Sequence, residues 1–278
     1  MRKIKIVADS SCDIFELEQV DFAVAPMKIV TAEREFVDDA ALDVGEMAEF
    51  LYNYKGKSQS SCPAMADWLD AFGDADDIFC ITITSALSGS FNSACAAKQC
   101  YESENDGKRV HIFDSLSAGP EVALVIRKIE ECITNGFEFD DICTAVSEYM
   151  EKTGLVFMLK SLKNFANNGR VSPVVARLVG IAGICIVGKA SDEGTLEPKD
   201  KCRGERRSLA KMMEILDEEG WRGGKISIGH CDNEEAALKV KKMLLEKFAD
   251  AQIEIHKFRG LCSFYAEKGG IIIGFERS

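Results

Sequence analysis

The sequence predicts an α/β protein of two domains: an N-terminal, mostly parallel, doubly wound sheet and a C-terminal mixed α/β sheet. Three observations carry that expectation. Short apolar runs alternate with segments of helical periodicity through the first half, the sign of βαβ units with right-handed crossovers. The runs end in turns rich in Ser, Asp and Gly. Past Gly154 the regular alternation gives way to short helices and a candidate antiparallel pair, so the boundary falls between domains 1–154 and 155–278.

Lys3 to Ala8 reads as a strand ending in Asp9-Ser10-Ser11-Cys12-Asp13. Phe22 to Val30 is a second apolar segment, and Pro26 within it marks an edge or irregular position. Leu42 to Tyr54 and Pro63 to Phe72 have helical spacing. Asp77 to Thr84 is the central strand, followed by a helix from Phe91 to Glu102. Arg109 to Phe113 is another strand, then Glu121 to Asn135 is a helix closed by Gly136 and Asp140 to Lys152 a helix closed by Gly154. In the second half, Leu159 to Asn167 and Val174 to Ile181 read as helices. Gly183 to Val187 and Leu196 to Cys202 form the candidate antiparallel pair. Glu205 to Glu219 is an amphipathic helix; Lys225 to Gly229, Glu234 to Phe248 and Gln252 to Lys257 form a strand–helix–strand unit; Ile271 to Phe275 is a final strand.

Composition narrows the function. The chain has 278 residues and a formal net charge of −12, which argues against a broad nucleic-acid footprint or an anionic membrane surface as partner. No apolar run reaches membrane-spanning length, and the start of the chain reads as a strand, which points to a cytoplasmic protein. The eleven cysteines form no Cys-x-x-Cys and no zinc spacing, so they read as reduced structural thiols, with no metal and no cofactor expected. His111 and His256 fall inside strand-like runs and read as structural; His230, at a strand end, is closer to a ligand-facing position. There is no Gly-x-Ser-x-Gly elbow, so no serine hydrolase is expected.

The most informative stretch is Thr82-Ile83-Thr84-Ser85-Ala86-Leu87-Ser88-Gly89-Ser90, where a buried strand feeds a helix. In an open α/β sheet, ligands bind at that edge, and the free N–H groups of the helix start favour an anion. The stretch lacks the lysine of a P-loop and the Gly-x-Gly-x-x-Gly pattern. Asp9-Ser10-Ser11, Ser58 to Pro63 and Asp114-Ser115-Leu116-Ser117 are three more serine-rich strand ends able to converge with it. Neutral donors gathered in this way suit one carboxylate or one phosphate. The candidate ligand-binding set on these loops is Ser60, Ser61, Ser88, Gly89, Ser90 and Ser115. The turn Asn167-Asn168-Gly169-Arg170 presents an arginine at a helix end. Two ligands remain open on the residues alone: an acid with an apolar tail, or a small phosphorylated metabolite handled by an enzyme or sensor that would bring Arg170 or Lys189 to the site.

These motifs together resemble the DegV family, the lipid-binding partners of bacterial fatty acid kinases. The matching residues are Asp9-Ser10-Ser11-Cys12-Asp13, Ser60-Ser61-Cys62-Pro63, Ser85-Ala86-Leu87-Ser88-Gly89-Ser90, Asp114-Ser115, Asn168-Gly169-Arg170-Val171 and the Arg203 region, spread over nearly the whole chain. The resemblance implies two α/β domains with a long-chain fatty acid between them, no catalysis by the protein itself, and presentation of the bound acid to a separate kinase. It implies that Ser60 and Ser88 hold the carboxylate, with a serine at 60 where the family usually has threonine. It also implies that Arg203 docks the kinase, and Arg170 is grouped with it as a docking residue. The family histidine of the glycine-rich C-terminal segment is absent from Gly260 to Gly270, and Tyr265 lies near its place.

Overall fold

The computed structural model describes residues 2–172 and 183–277. The expected helix at Val174 to Ile181 lies outside the described residues. In chain order the strands are β1 (Ile4–Asp9), β2 (Asp21–Ala25), β3 (Lys28–Val30), β4 (Glu35–Val37), β5 (Gln59–Ser61), β6 (Asp77–Thr82), β7 (Arg109–Asp114), β8 (Thr153–Leu159), β9 (Ile184–Ala190), β10 (Leu196–Arg203), β11 (Lys225–His230), β12 (Gln252–Lys257) and β13 (Ile271–Glu276). The described helices are α1 (Val44–Asn53), α2 (Met65–Phe72), α3 (Ser90–Glu104), α4 (Pro120–Thr134), α5 (Phe139–Met150), α6 (Lys163–Asn167), α7 (Glu205–Glu218), α8 (Glu234–Lys247) and α9 (Gly260–Ala266).

The first sheet has the order β2-β1-β6-β7 and is parallel throughout. All six residues of β6 are buried, as expected of a central strand covered on both faces. Helices α2 and α3 cover one face around Trp68, Phe72, Ala94 and Ala97, while α4 and α5 cover the other around Val122, Ile126, Ile142 and Val146. The second sheet has the order β10-β9-β8-β13-β11-β12, with β11 and β12 parallel and the other pairs antiparallel. The expected pairing of the 183–187 and 196–202 segments is present and runs further, from Ile184 to Ala190.

Helix α4 lies between the two sheets. Its apolar residues pack on β1 and β6 on one side, and β11 and β13 approach it on the other. Gly274 on β13 makes this approach possible: a Cβ there would stand 2.4 Å from the Glu121 amide nitrogen. The fully buried Glu121 carboxylate ties the same junction, accepting from Ser117 Oγ at 2.5 Å and Thr153 Oγ1 at 2.7 Å. Burial raises its pKa, against those two hydrogen bonds.

Four expectations need correction. The Phe22 to Val30 run breaks at Pro26: β2 stays in the first sheet and β3 joins a separate three-stranded sheet of order β4-β3-β5. Proline donates no ladder bond, so the break falls where the chain changes sheets. Ser58 to Pro63 is not a strand end, because Gln59–Ser61 is itself a strand, paired antiparallel to β3. Gly154 does not close a helix but lies inside β8, where the Phe275 ring occupies the space a side chain would need. Leu159 likewise ends β8, and the helix expected to begin there is only Lys163–Asn167.

The small sheet is covered by α1 and α9. Ile29, Phe36, Met47 and Phe264 form the core between them. Helix α9 thereby joins the last strand-to-strand connection of the second sheet to the early part of the chain, and Asp38 fixes the contact. Its carboxylate accepts the Gly260 N–H at 2.9 Å and the Leu261 N–H at 2.8 Å. A Cβ at Gly260 would stand 2.5 Å from Asp38 Oδ1, so the residue that starts α9 has to be glycine.

Candidate functional site

Where the parallel strands end, a buried carboxylate organises the chain. Asp9 is fully buried at the end of β1 and accepts from Ser11 Oγ at 2.5 Å, Ser11 N at 3.2 Å, Ile83 N at 2.9 Å and Ser90 Oγ at 2.6 Å. These bonds pin the 82–90 connection to the neighbouring strand. Within that connection the Ser90 N–H donates to Ser88 Oγ at 3.2 Å.

A second group of bonds links three more segments to this turn. The Ser60 hydroxyl and the Tyr265 phenol are 2.6 Å apart, and Asn168 Oδ1 accepts the Ser60 N–H at 3.0 Å. Arg170 donates from Nη1 to the Asn168 carbonyl at 2.6 Å and from Nε to the Leu87 carbonyl at 3.0 Å. Ser60, Tyr265, Arg170 and the Leu87-Ser88 turn therefore form one polar cluster. Burial pushes the Tyr265 phenol up, while the Ser60 bond and the Arg170 charge work against that rise.

The cluster borders a cavity. Its wall includes Ser60, Ser88, Arg170 and Tyr265, and beyond them the side chains are almost wholly apolar: Met27, Ile83, Leu87, Leu155, Phe157, Leu159, Phe165, Leu196, Leu261 and Ile272. About 810 Å³ lies within its bounds, open solvent at the mouth included. The wall draws on the strand-end loops of the first sheet, on β8, β9, β10 and β13 of the second, on the small sheet and on α9. The β9–β10 turn completes it through Gly194, Thr195 and Leu196. Gly194 has φ +76°, and a Cβ there would stand 2.1 Å from Thr84 Oγ1 and 3.0 Å from the Leu116 backbone. The turn thus rests directly on the strand-end loops of the first sheet.

The family model described as "Uncharacterised protein, DegV family" matches residues 3–277. The chain belongs to the DegV family. A DegV domain-containing protein of Streptococcus gordonii is 41% identical over 276 residues, 98% of each chain. A solved DegV family protein of Eubacterium eligens, loaded with heptadecanoic acid, is 43% identical with a TM-score of 0.97, over 99% of this chain and 100% of that one. The Streptococcus pneumoniae Fatty Acid Kinase (Fak) B3 protein, loaded with linoleic acid, is 40% identical with a TM-score of 0.97, again over 99% and 100%. The family resemblance carried by the serine motifs thus extends along the whole DegV chain.

The DegV structure sorts the expected site residues. Ser60, Ser88 and Tyr265 come together on the cavity wall. Four others do not reach it. Ser61 is exposed and its Oγ donates to the Cys62 carbonyl at 3.2 Å. Gly89 is the exposed cap residue of α3. Ser90 is fully buried with its hydroxyl on Asp9, and Ser115 is buried with its hydroxyl on the Ser117 carbonyl at 3.0 Å. Ser10 Oγ accepts the Met27 N–H at 3.1 Å and is hydrogen-bonded to Asp38. Of these serines Ser60 and Ser88 face the cavity, and the hydroxyls of Ser10, Ser61, Ser90 and Ser115 bond within the protein.

Arg170, grouped with Arg203 as a docking residue, belongs to the cavity wall. Arg203 is exposed at the end of β10, away from that wall. Lys189 does not reach the cavity; its ammonium pairs with Glu219 at 2.7 Å. His230 is buried, and its Nδ1 accepts the Asn233 N–H at 3.3 Å, a turn-closing role rather than a ligand-facing one. All eleven cysteines are free, and among the described residues no group of His, Cys, Asp and Glu could hold a metal. No helix of the described chain is long and apolar enough to cross a membrane. Sequence reasoning missed Asn168 as the partner of the Ser60 amide, and Asp9 as the anchor of the 82–90 turn. Both stand in the motifs quoted above, but their bonds join segments far apart in sequence.

Proposed function

We propose that this DegV protein binds a long-chain fatty acid without catalysis, holds its carboxylate at Ser60, Tyr265, Ser88 and Arg170, and presents it to a separate fatty acid kinase. The two sheets with their helices act as two lobes, and the hydrocarbon tail lies between them. The observation that carries the reading is the composition of one cavity wall: a small cluster of hydroxyls and one guanidinium beside a continuous apolar surface. Burying a dozen or more methylenes there gains about 0.8 kcal/mol each, roughly 10 kcal/mol in all. A carboxylate left unpaired at the end of such a cavity would cost several kcal/mol. Hydroxyl donors and the Arg170 fork offset that cost. The fatty acids held by the relatives from E. eligens and S. pneumoniae support the same ligand class, and the kinase name of the second supports the partner. A cytoplasmic location suits that role.

A small phosphorylated metabolite fits the wall less well. A phosphate with two charges calls for several cations, whereas Arg170 is the single basic residue of the described wall. A thermal-shift panel separates the two readings. Oleic acid raises Tm and sugar phosphates do not, since a ligand stabilises only the state it binds. The reverse result, together with no acyl chain in organic extracts of the purified protein, would overturn the proposal.

A further inference from the structure

We propose that Asp9 is a positioning residue for the carboxylate site, acting through Ser90 to aim the Ser88 hydroxyl into the cavity. The inference rests on the fatty-acid reading above and extends it to residues that never touch the ligand.

The geometry is a relay of three groups. The Asp9 carboxylate takes the Ser90 hydroxyl on Oδ2, at 2.6 Å, and the Ile83 N–H on the same oxygen at 2.9 Å. Those two bonds fix both ends of the 83–90 turn on one buried anion. Ser90, so held, turns its backbone N–H towards Ser88 Oγ at 3.2 Å. A serine hydroxyl has one proton to give and lone pairs to receive. With a lone pair occupied by the Ser90 amide, the Ser88 proton is left to turn towards the cavity that Ser88 lines. Ser88 therefore meets a ligand as a donor, the form a carboxylate needs.

The arrangement also explains the polarity of Asp9. Four groups donate to it, and two of them are backbone N–H groups that can only donate, so the hydrogen bonds favour the ionised carboxylate against the rise that burial imposes. An asparagine at the same place would offer one oxygen and one NH₂. Its NH₂ would then face a backbone N–H, that of Ile83 or that of Ser11, donor against donor, and the neighbouring serine hydroxyl would have to turn round and accept. The turn would lose its anchor without any change in the size of the side chain.

The test compares two ligands of equal tail, oleic acid and oleyl alcohol, by titration calorimetry against the unaltered protein, Asp9→Asn and Ser90→Ala. A charged acceptor loses more than a neutral one when a donor is misaimed. Both variants are expected to weaken oleic acid about tenfold and oleyl alcohol by no more than about threefold. Equal losses for the two ligands would mean that Asp9 only supports the fold, and unchanged oleic acid affinity would mean that Ser88 needs no aiming; either result overturns the inference while the fatty-acid reading stands. Absence of oleic acid binding by the unaltered protein would instead overturn that reading and the inference with it. If Asp9→Asn fails to fold, Ser90→Ala, which keeps the Ser90 amide and removes only its hydroxyl, decides the question alone.

Discussion

The Ser60 hydroxyl lies 2.6 Å from the phenol of Tyr265, across 205 residues of sequence. The pair joins the small three-stranded sheet to α9 at the polar edge of the cavity. Tyr265 is further held by ring contacts with Phe165 and Phe264, at centroid distances of 4.6 and 4.9 Å. Tyr265→Phe keeps those contacts and removes only the hydroxyl. It is expected to lower oleic acid affinity by about 1–3 kcal/mol while Tm of the ligand-free protein stays nearly constant. Calorimetric titration and thermal melting check the two halves of that statement.

Ser88→Ala should weaken oleic acid by a similar 1–3 kcal/mol or so. Nothing is left buried and unpaired by this change except the Ser90 N–H, which sits next to the open turn. A variant with unaltered affinity in the same titration would remove Ser88 from the head-group site.

Ala118 lies on the cavity wall next to Ser117. Ala118→Phe would fill space that the tail is expected to occupy. Affinity should then shift towards shorter acyl chains, read as the ratio of decanoic to oleic acid binding in a competition assay. An unchanged ratio would show that the tail lies elsewhere.

Asp38 caps α9 from across the molecule. Asp38→Ala leaves the N–H groups of Gly260 and Leu261 without their buried acceptor. Loss of about 1–3 kcal/mol of unfolding free energy is expected in urea titration. Oleic acid affinity should fall as well, because α9 carries Tyr265.

The stability of the protein should fall between pH 6.5 and 8. The Asp13 carboxyl, 1% exposed, is raised to about 8, first by burial and then by the neighbouring Asp38 charge. In the unfolded chain an aspartate titrates near about 3.9. Between those values the folded protein holds a proton that the unfolded one has released, so this stabilisation is complete below the lower value and gone above the upper. Asp38, raised by burial to about 6, adds the same trend only at lower pH. His256, whose Nε2 is 4.0 Å from Asp13 Oδ2, is lowered by burial to about 4 and works in the opposite direction, between that value and about 6.5. From pH 6.5 to 8 the Asp13 contribution amounts to roughly 1–2 kcal/mol. Urea midpoints measured across that range should decline for the unaltered protein and decline less for Asp13→Asn.

Much of this architecture was legible because local signals and tertiary burial agree. The apolar centre of β6, Ile78 to Ile81, and the helical spacing after Pro120 could be read without knowing what they pack against. The elements that went unread are short and have no pattern of their own. Glu35–Val37 and Gln59–Ser61 are strands only because Lys28–Val30 lies between them. Gly260–Ala266 is a seven-residue helix started by a carboxylate from Asp38. At the site, the serine motifs marked the right loops but not the right serines. Which hydroxyl faces the cavity depends on where Asp9 and Asn168 place their bonds, and those partners lie 81 and 108 residues from Ser90 and Ser60.

The clamp between Asp38 and the Gly260 and Leu261 amides has a consequence for the order in which the molecule assembles. Its partners are separated by 222 and 223 residues, so it forms only after the entropy of closing a very long loop has been met. Helix α9 is too short to persist before then. Refolding should therefore restore the two large sheets first, with the cavity maturing in the slowest phase. Until that phase is complete, the cavity lacks the wall that α9 and Tyr265 supply.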